Sequence, residues 1–216
     1  MNQHLTKLIS RWQVEGKLPQ ETFNWRVSKN NWIRTFPSFS EFLENDVPLD
    51  LGRTEVRAIF ENRQIDIAQK FLVSMIWGYG NIGYGPYRVN LMLSQKNAIE
   101  ILNHAYTVAS EGLPKDAYVY LKENRIKILG PSFGTKYLSF CAPREVGAPI
   151  YDSYVSLWIS KYAKKEFSSI SLNSQTWNGK IYSAYWDWIK IHAEAFDCYP
   201  DEVEFVLFDD SFRRFG

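Results

Sequence analysis

The chain has 216 residues, enough for one large domain or two small ones, and 45% of them are hydrophobic, which excludes a disordered chain. Its 25 basic and 24 acidic side chains give a formal net charge of +1, which excludes a generally basic nucleic-acid-binding surface. The two cysteines, Cys141 and Cys198, are too few for a disulfide scaffold and lack the paired spacing of a metal cluster. This cysteine usage suits a reducing cytoplasm, where we expect the protein to act without a metal or another cofactor. No apolar run is long enough to span a membrane, so we also expect no membrane contact.

Helical periodicity dominates the chain. Apolar residues recur three and four positions apart in several segments, which is the pattern of amphipathic helices. These segments are Leu5 to Trp12, Ile65 to Met75, Gln95 to Ala109, Tyr182 to Phe196 and Pro200 to Phe215. The first helix is predicted to end near Glu15, and Pro200 is predicted to begin the last one. Because strand-like alternation is scarce, we predict an all-α fold of about nine to eleven short helices.

The segment from Gly16 to Gly52 carries three prolines and scattered aromatic residues. This composition predicts loops and single helical turns that lie on the helical body. No stretch is long or polar enough to be a linker between domains, and no internal repeat occurs. We therefore predict a single α-helical domain over residues 1–216.

Four glycines interleaved with aromatic rings occupy the segment Trp77 to Arg88. A glycine lets a planar ligand approach the backbone, and the rings offer it stacking surfaces. The segment is not a dinucleotide-binding fingerprint, because the residues before it are helical and no βαβ unit follows. It is either one wall of a base-binding pocket or a loop whose rings pack into the core. The candidate pocket residues in it are Trp77, Tyr79, Gly80 and Tyr84.

A Gly/Pro turn, Leu129 to Lys136, lies between a helical pattern at Ala117 to Asn124 and a second one that starts at Tyr137. Such a turn leaves backbone N–H groups at the start of the second helix pointing outward, where they bind a phosphate oxygen together with the helix dipole. A turn of this kind also occurs as a plain connection between helices, so both interpretations stay open. The candidate residues for contact with a DNA backbone are Gly130, Ser132, Gly134 and Thr135.

Lys136 is predicted to lie in the first turn of the second helix, where an ammonium group interacts unfavourably with the helix dipole. A lysine in that place either binds an anion or acts as a nucleophile in its neutral form. Asp152 follows 16 residues later, behind Pro149, and opens another helical pattern. One helix and a turn can fold this carboxylate back beside the amine.

The run Pro131 to Lys136, followed by the proline-led Asp152, resembles the helix-hairpin-helix DNA glycosylases. Its last three residues, Gly-Thr-Lys, are most similar to the 8-oxoguanine DNA glycosylase branch. The resemblance implies the fold of a compact bacterial-type member without the N-terminal β-domain. It implies a hairpin at about residues 117–141 and a catalytic aspartate segment at 149–160. Lys136 is then the nucleophile and Asp152 the essential carboxylate.

The same resemblance implies aromatic contacts with the base. Phe140 falls at the position that flanks the base in the animal enzymes. The C-terminal helix supplies a ring to the base pocket in related glycosylases. The candidates for that ring are Phe205, Phe208 and Phe212, and we assign Phe208 to the pocket.

The predicted function is a DNA glycosylase with AP-lyase activity, in which Lys136 displaces an extruded base and forms a Schiff base that permits strand cleavage. We expect a monomer that acts on double-stranded DNA containing a damaged or modified base, in base-excision repair. Three alternatives stay open. The chain would be an anti-phage defence glycosylase for a bulky modified pyrimidine, a non-catalytic helix-hairpin-helix DNA-binding module, or a helical interaction protein whose glycine-aromatic loop binds a partner.

Overall fold

The computed structural model describes residues 2–15, 22–167 and 173–216. Twelve α-helices occur in these ranges, and the all-α prediction is confirmed, although the predicted number of helices was slightly too low. The helices are α1 (Gln3–Val14), α2 (Arg26–Thr35), α3 (Ser40–Asn45), α4 (Arg53–Glu61), α5 (Ile67–Tyr79), α6 (Gly85–Leu93), α7 (Ala98–Ser110), α8 (Pro114–Glu123), α9 (Pro131–Cys141), α10 (Ser153–Tyr162), α11 (Gly179–Ala195) and α12 (Pro200–Phe215). A 3₁₀ turn (Pro37–Phe39) and an antiparallel ribbon of β1 (Phe23–Asn24) with β2 (Asp50–Leu51) accompany them.

Helix α5 is the centre of the first group of helices. Nine of its 13 residues are buried, because its sequence is apolar on almost every face. Helices α4, α6, α7 and α9 all pack against it. A capping box fixes its start: the Asp66 carboxylate accepts the N–H of Gln69 at 2.8 Å, and the Gln69 side chain accepts the N–H of Asp66 at 3.1 Å.

A second group of helices forms around α12. Helices α1, α10 and α11 pack against α12, and α11 also contacts α8 of the first group. Asn2 caps α1 and donates a hydrogen bond to the carbonyl oxygen of Tyr162 at 2.8 Å, which ties α1 to the end of α10. The indole of Trp158 donates to Asp210 at 3.0 Å, which ties α10 to α12. The two groups leave a cavity between them.

The five segments with helical periodicity all contain helices, namely α1, α5, α7, α11 and α12. The prediction for the segment from Gly16 to Gly52 was wrong in part, because α2 has ten residues rather than a single turn. Ser28 and Trp32, four positions apart, bury one face of α2. Trp25 is fully buried just before α2 and donates to the carbonyl oxygen of Pro48 at 2.7 Å. Residues 16–21 of the predicted loop lie outside the described residues.

Helix α9 begins at Pro131, earlier than the predicted start, which placed Lys136 in the first turn. Proline suits the first helical position, because its fixed φ matches the helix and its missing N–H would have had no partner there. The segment that was predicted to be a turn is therefore mostly helix, and the turn itself is confined to residues 124–130. Lys136 consequently lies in the second turn of α9, so the predicted conflict with the dipole of the first turn does not apply to it.

Gly134 allows the ring of Trp177 to pack directly on α9. A Cβ atom added to Gly134 would overlap the indole ring, whose Nε1 donates to the carbonyl oxygen of Leu129 at 3.2 Å. A glycine inside a helix costs about 1 kcal/mol relative to alanine, and here the contact with the ring offsets that cost.

The Gly134→Ala substitution is expected to lower the free energy of unfolding by about 1–3 kcal/mol, because the indole must move away from α9. Urea unfolding of the purified variant measures this change. Gly130→Ala is the matched control, since a Cβ at that position meets no atom within 4 Å. Equal stabilities of the two variants would contradict the proposed packing.

Candidate active site

A cavity of about 1100 Å³ opens between the two groups of helices. Its wall combines the C-terminal end of α5, the N-terminal end of α9, the segment from Ile150 to Tyr154 and one face of α12. Both residues with a predicted catalytic role, Lys136 and Asp152, lie on this wall. The fold thus brings together a predicted nucleophile and a predicted carboxylate on the wall of one cavity.

The amine of Lys136 and the carboxylate of Asp152 are in direct contact. Lys136 Nζ donates to Asp152 Oδ2 at 3.3 Å, and the two side chains are 14% and 10% exposed. The other oxygen, Asp152 Oδ1, accepts the N–H groups of Tyr154 and Val155 at 3.0 and 3.1 Å and so caps α10. One carboxylate therefore holds the start of a helix with one oxygen and faces the lysine with the other.

Thr135 holds the two catalytic candidates together. Its hydroxyl oxygen accepts the N–H of Tyr151 at 3.1 Å, one residue before Asp152, and the hydroxyl donates to the carbonyl oxygen of Pro131 at 2.9 Å. Thr135 is fully buried and immediately precedes Lys136. This hydrogen bond between α9 and the chain before α10 explains how residues 16 positions apart meet.

The alkyl chain of Lys136 passes close to α5 at Gly78. A Cβ on Gly78 would lie 3.0 Å from Lys136 Cδ and 3.2 Å from the ring of Phe133. Phe133 in turn stacks on Tyr79 with the ring centroids 4.1 Å apart. Burial raises the pKa of Tyr79, so its phenol is neutral at physiological pH. The path of the lysine side chain is therefore set by a glycine on one side and a ring on the other.

Four of the six predicted base-pocket residues line the cavity. They are Trp77, Tyr79, Gly80 and Phe208. The sequence suggested that Trp77 and Tyr79 lie in a loop, but both belong to the last turn of α5. The loop itself comprises residues 80–84. Gly80 ends the helix with φ +56° and ψ −129°, a conformation that strongly favours glycine. Phe205 and Phe212 line the cavity as well, so all three candidate rings of α12 reach it.

Tyr84 and Phe140 do not line the cavity. Tyr84 is 55% exposed and contacts Tyr79 edge to face, with the centroids 5.9 Å apart. Phe140 is buried, because Phe60 and Trp77 enclose its ring at centroid distances of 5.6 and 5.2 Å. The structure thus gives Phe140 a supporting position beside Trp77 instead of a place on the cavity wall.

The four residues with a predicted DNA-backbone contact divide into two pairs. Gly130 and Ser132 line the cavity at the start of α9. Gly134 and Thr135 are buried, and the N–H of Gly134 donates to the carbonyl oxygen of Gly130 at 2.9 Å inside the helix. Because Pro131 has no N–H, the outward-pointing amides of the first turn are those of Ser132 and Phe133.

A buried ion pair on the cavity wall was missed in the sequence. Arg53, at the start of α4, donates to both carboxylate oxygens of Glu204 on α12, at 2.6 and 3.2 Å. The Arg53 guanidinium also lies over the ring of Trp77, 5.4 Å from its centroid. A sequence signal for Glu204 exists, since Glu204, Phe208 and Phe212 are four apart on one stripe of α12. Nothing in the local pattern around Arg53 points to its partner.

The buried thiol of Cys141 is an unsuitable alternative nucleophile. Cys141 is buried in the core, and burial raises the pKa of its thiol well above the ordinary value, so the thiol is neutral. In the described ranges, no group of three or more His, Cys, Asp or Glu residues is placed to hold a metal ion. None of the helices described is both long enough and apolar enough to cross a membrane.

The fold and the site define an all-α protein with a lysine–aspartate pair on the wall of a large open cavity. A protein family described as "Putative 8-oxoguanine DNA glycosylase OGG-like protein" matches residues 16–208, which is most of the chain. The chain belongs to this family, and the predicted relation to the 8-oxoguanine DNA glycosylase branch is confirmed. Membership in a family of DNA glycosylases also implies that the protein binds DNA. No curated protein and no solved structure matches the chain.

Proposed function

We propose that the protein is a DNA glycosylase with AP-lyase activity that removes a damaged or modified base from double-stranded DNA. The observation that carries this proposal is the contact between Lys136 Nζ and Asp152 Oδ2 on the wall of a cavity of about 1100 Å³. Family membership supports the glycosylase activity, and the lysine supports the lyase step. A non-catalytic DNA-binding module would need neither the cavity nor the partly buried amine.

The reaction requires the target base to leave the duplex and enter the cavity. Lys136 gives a proton to Asp152 and attacks C1′ of the nucleotide as a neutral amine. A bond forms between Nζ and C1′ as the glycosidic bond breaks, and the base departs with that electron pair and takes up a proton. That proton comes from Asp152, and the carboxylate, negative again, stabilises the positive charge on the sugar-bound nitrogen. As the sugar ring opens, a proton moves from Nζ to O4′ and a Schiff base forms. Loss of a proton from C2′ then drives β-elimination, which breaks the bond from C3′ to the phosphate oxygen, and the phosphate leaves with that electron pair.

The N-terminal end of α9 is placed to hold the DNA backbone. The amides of Ser132 and Phe133 point out of the first turn, where the helix dipole favours a phosphate. Arg88 also lines the cavity and supplies a local cation, which a chain with a net charge near zero needs. Every group invoked here belongs to one chain, so we propose that the protein acts as a monomer.

The size of the cavity favours a second candidate for the substrate. Sites for drug-sized ligands usually have about 300–1,000 Å³, and a volume of about 1100 Å³ exceeds what a single base needs. This volume favours a base that carries an appended group, as in a defence enzyme that acts on a bulky modified pyrimidine of phage DNA. The family description, in contrast, favours 8-oxoguanine.

A panel of duplexes separates these two substrates. It contains 8-oxoguanine, 5-methylcytosine, and 5-hydroxymethylcytosine with and without a sugar on its hydroxyl group. If the cavity volume determines the substrate, the fraction of base released rises with the size of the pyrimidine substituent, and the sugar-bearing base is released fastest. Release of 8-oxoguanine alone would contradict the second candidate and support the first.

Lys136→Gln is expected to reduce base release and strand cleavage by orders of magnitude while leaving DNA affinity nearly unchanged, because an amide cannot attack C1′. Gel analysis of a cleaved duplex gives the rates, and fluorescence anisotropy gives the affinity. Lys190→Gln is the control, since Lys190 is an exposed lysine of α11 outside the cavity lining. Normal release of the base by the Lys136→Gln protein would remove this residue from the mechanism.

Asp152→Asn separates the two roles of the carboxylate. Asparagine still caps a helix, so α10 and the melting temperature should change little, whereas loss of the charge facing Lys136 should slow base release by about 10²-fold or more. The matched control is Asp66→Asn at the start of α5, another N-cap carboxylate, which should change neither quantity. A lower melting temperature with full activity per folded molecule would assign Asp152 to capping alone.

A further inference from the structure

The ion pair of Arg53 and Glu204 is the most buried pair of charges in the described structure that touches the cavity. The two side chains are 4% and 1% exposed, and both line the cavity wall. The guanidinium contacts the carboxylate through two N–H donors, at 2.6 and 3.2 Å. Such a fork fixes the plane and the orientation of the carboxylate group.

Stability alone is a weak reason to bury this pair. Removing two charges from water costs about as much as their attraction returns, and apolar residues of similar size often serve as well or better. Helices α4 and α12 are also joined by a second ion pair one turn away, in which Arg57 donates to Asp201 at 3.2 Å. That second pair does not line the cavity. The position of the first pair therefore points to a ligand in the cavity.

The stripe of α12 that carries Glu204 runs from the inside of the cavity to its mouth. Phe208 and Phe212 follow Glu204 at successive intervals of four residues, and exposure rises to 52% at Phe212. Eight residues of helix span about 12 Å. A base that stacks on these rings with its sugar at the mouth would direct its far edge toward the carboxylate.

A carboxylate is a hydrogen-bond acceptor only, and it accepts up to about four hydrogen bonds. The ion pair with Arg53 is therefore compatible with further N–H donors from a ligand. A carbonyl oxygen on the ligand would instead face a negative oxygen. The carboxylate thus favours a ligand edge with an N–H donor over one with a carbonyl oxygen. An amide side chain, which both donates and accepts hydrogen bonds, would tolerate both kinds of edge.

We propose that Arg53 and Glu204 select the substrate, so that the cavity takes bases with an exocyclic amino group in preference to the carbonyl bases that otherwise share their structure. The inference rests on the proposed function, because it assumes that an extruded base occupies the cavity. Glu204 accepts the amino N–H, and Arg53 is a positioning residue that orients the carboxylate and supports the ring of Trp77.

The test compares two pairs of bases in which a carbonyl group replaces an amino group: 8-oxoadenine with 8-oxohypoxanthine, and 5-hydroxymethylcytosine with 5-hydroxymethyluracil. Each base is placed opposite an abasic-site analogue, so that no base pair opposes its extrusion. The Lys136→Gln protein serves for the measurement, because its affinity can be determined by anisotropy without turnover. In at least one pair, the amino-bearing member should bind about tenfold more tightly, as expected for one hydrogen bond to a charged group.

Substitutions then assign the preference to the ion pair. Adding Glu204→Gln should reduce the preference to about twofold or less, because an amide accepts both kinds of edge. Adding Asp201→Asn should leave the preference intact, since it breaks the second ion pair between the same two helices away from the cavity. If Glu204→Gln prevents folding, the double variant Arg53→Met with Glu204→Met removes both charges together, and it should fold and lose the preference.

Equal affinities within both pairs of bases would overturn the proposal. A tenfold preference that survives Glu204→Gln or the double methionine variant would overturn it as well. Excision by the wild-type protein is measured on the same duplexes. A wild-type protein that binds the amino-bearing base preferentially but never releases it would contradict the proposed function while supporting the role of the ion pair.

Discussion

The site depends on the different hydrogen bonds that the two carboxylate oxygens of Asp152 make. Oδ1 accepts two backbone N–H groups and fixes the start of α10, and this leaves Oδ2 directed at Lys136 Nζ, 3.3 Å away. The hydroxyl of Thr135 accepts the N–H of Tyr151 and joins α9 to the same short segment. The start of α10, the buried hydroxyl of Thr135 and the contact between Lys136 and Asp152 are thus one connected unit, so a disturbance of any of them moves the carboxylate relative to the amine.

The C-terminal helix packs against α10, and ion pairs hold its first turn in place. Its first turn carries Asp201 and Glu202, which suit the positive end of a helix dipole, and both pair with arginines. Burial lowers the pKa of one of these arginines, Arg57, although Asp201 opposes the shift. The pair of Asp201 with Arg57 joins α12 to α4, and the pair of Glu202 with Arg144 joins α12 to the chain that follows α9. The aromatic stripe of α12 lines the cavity. Glu204 continues the same series of acidic residues onto the cavity wall.

Much of the fold was predictable because the helices that bury one face carry a clear periodicity, as in α1 and α11. The start of α9 was not predictable, because a glycine such as Gly134 is typical of a turn. Its reason for lying in a helix is the packing of Trp177, which comes 43 positions later. The contact of Lys136 with Asp152 was expected from a family resemblance and is present in the structure. The pair of Arg53 with Glu204 joins residues 151 positions apart, and no local pattern in a single sequence records such a contact.

In the proposed mechanism, the amine of Lys136 becomes covalently bonded to C1′ of the target nucleotide. Sodium borohydride reduces a Schiff base to a stable amine, so the intermediate can be trapped, digested and located by mass spectrometry. We expect a single DNA-bearing peptide that contains Lys136. An adduct on another lysine or on the N-terminal amine, or base release and strand cleavage with no adduct at all, would contradict it.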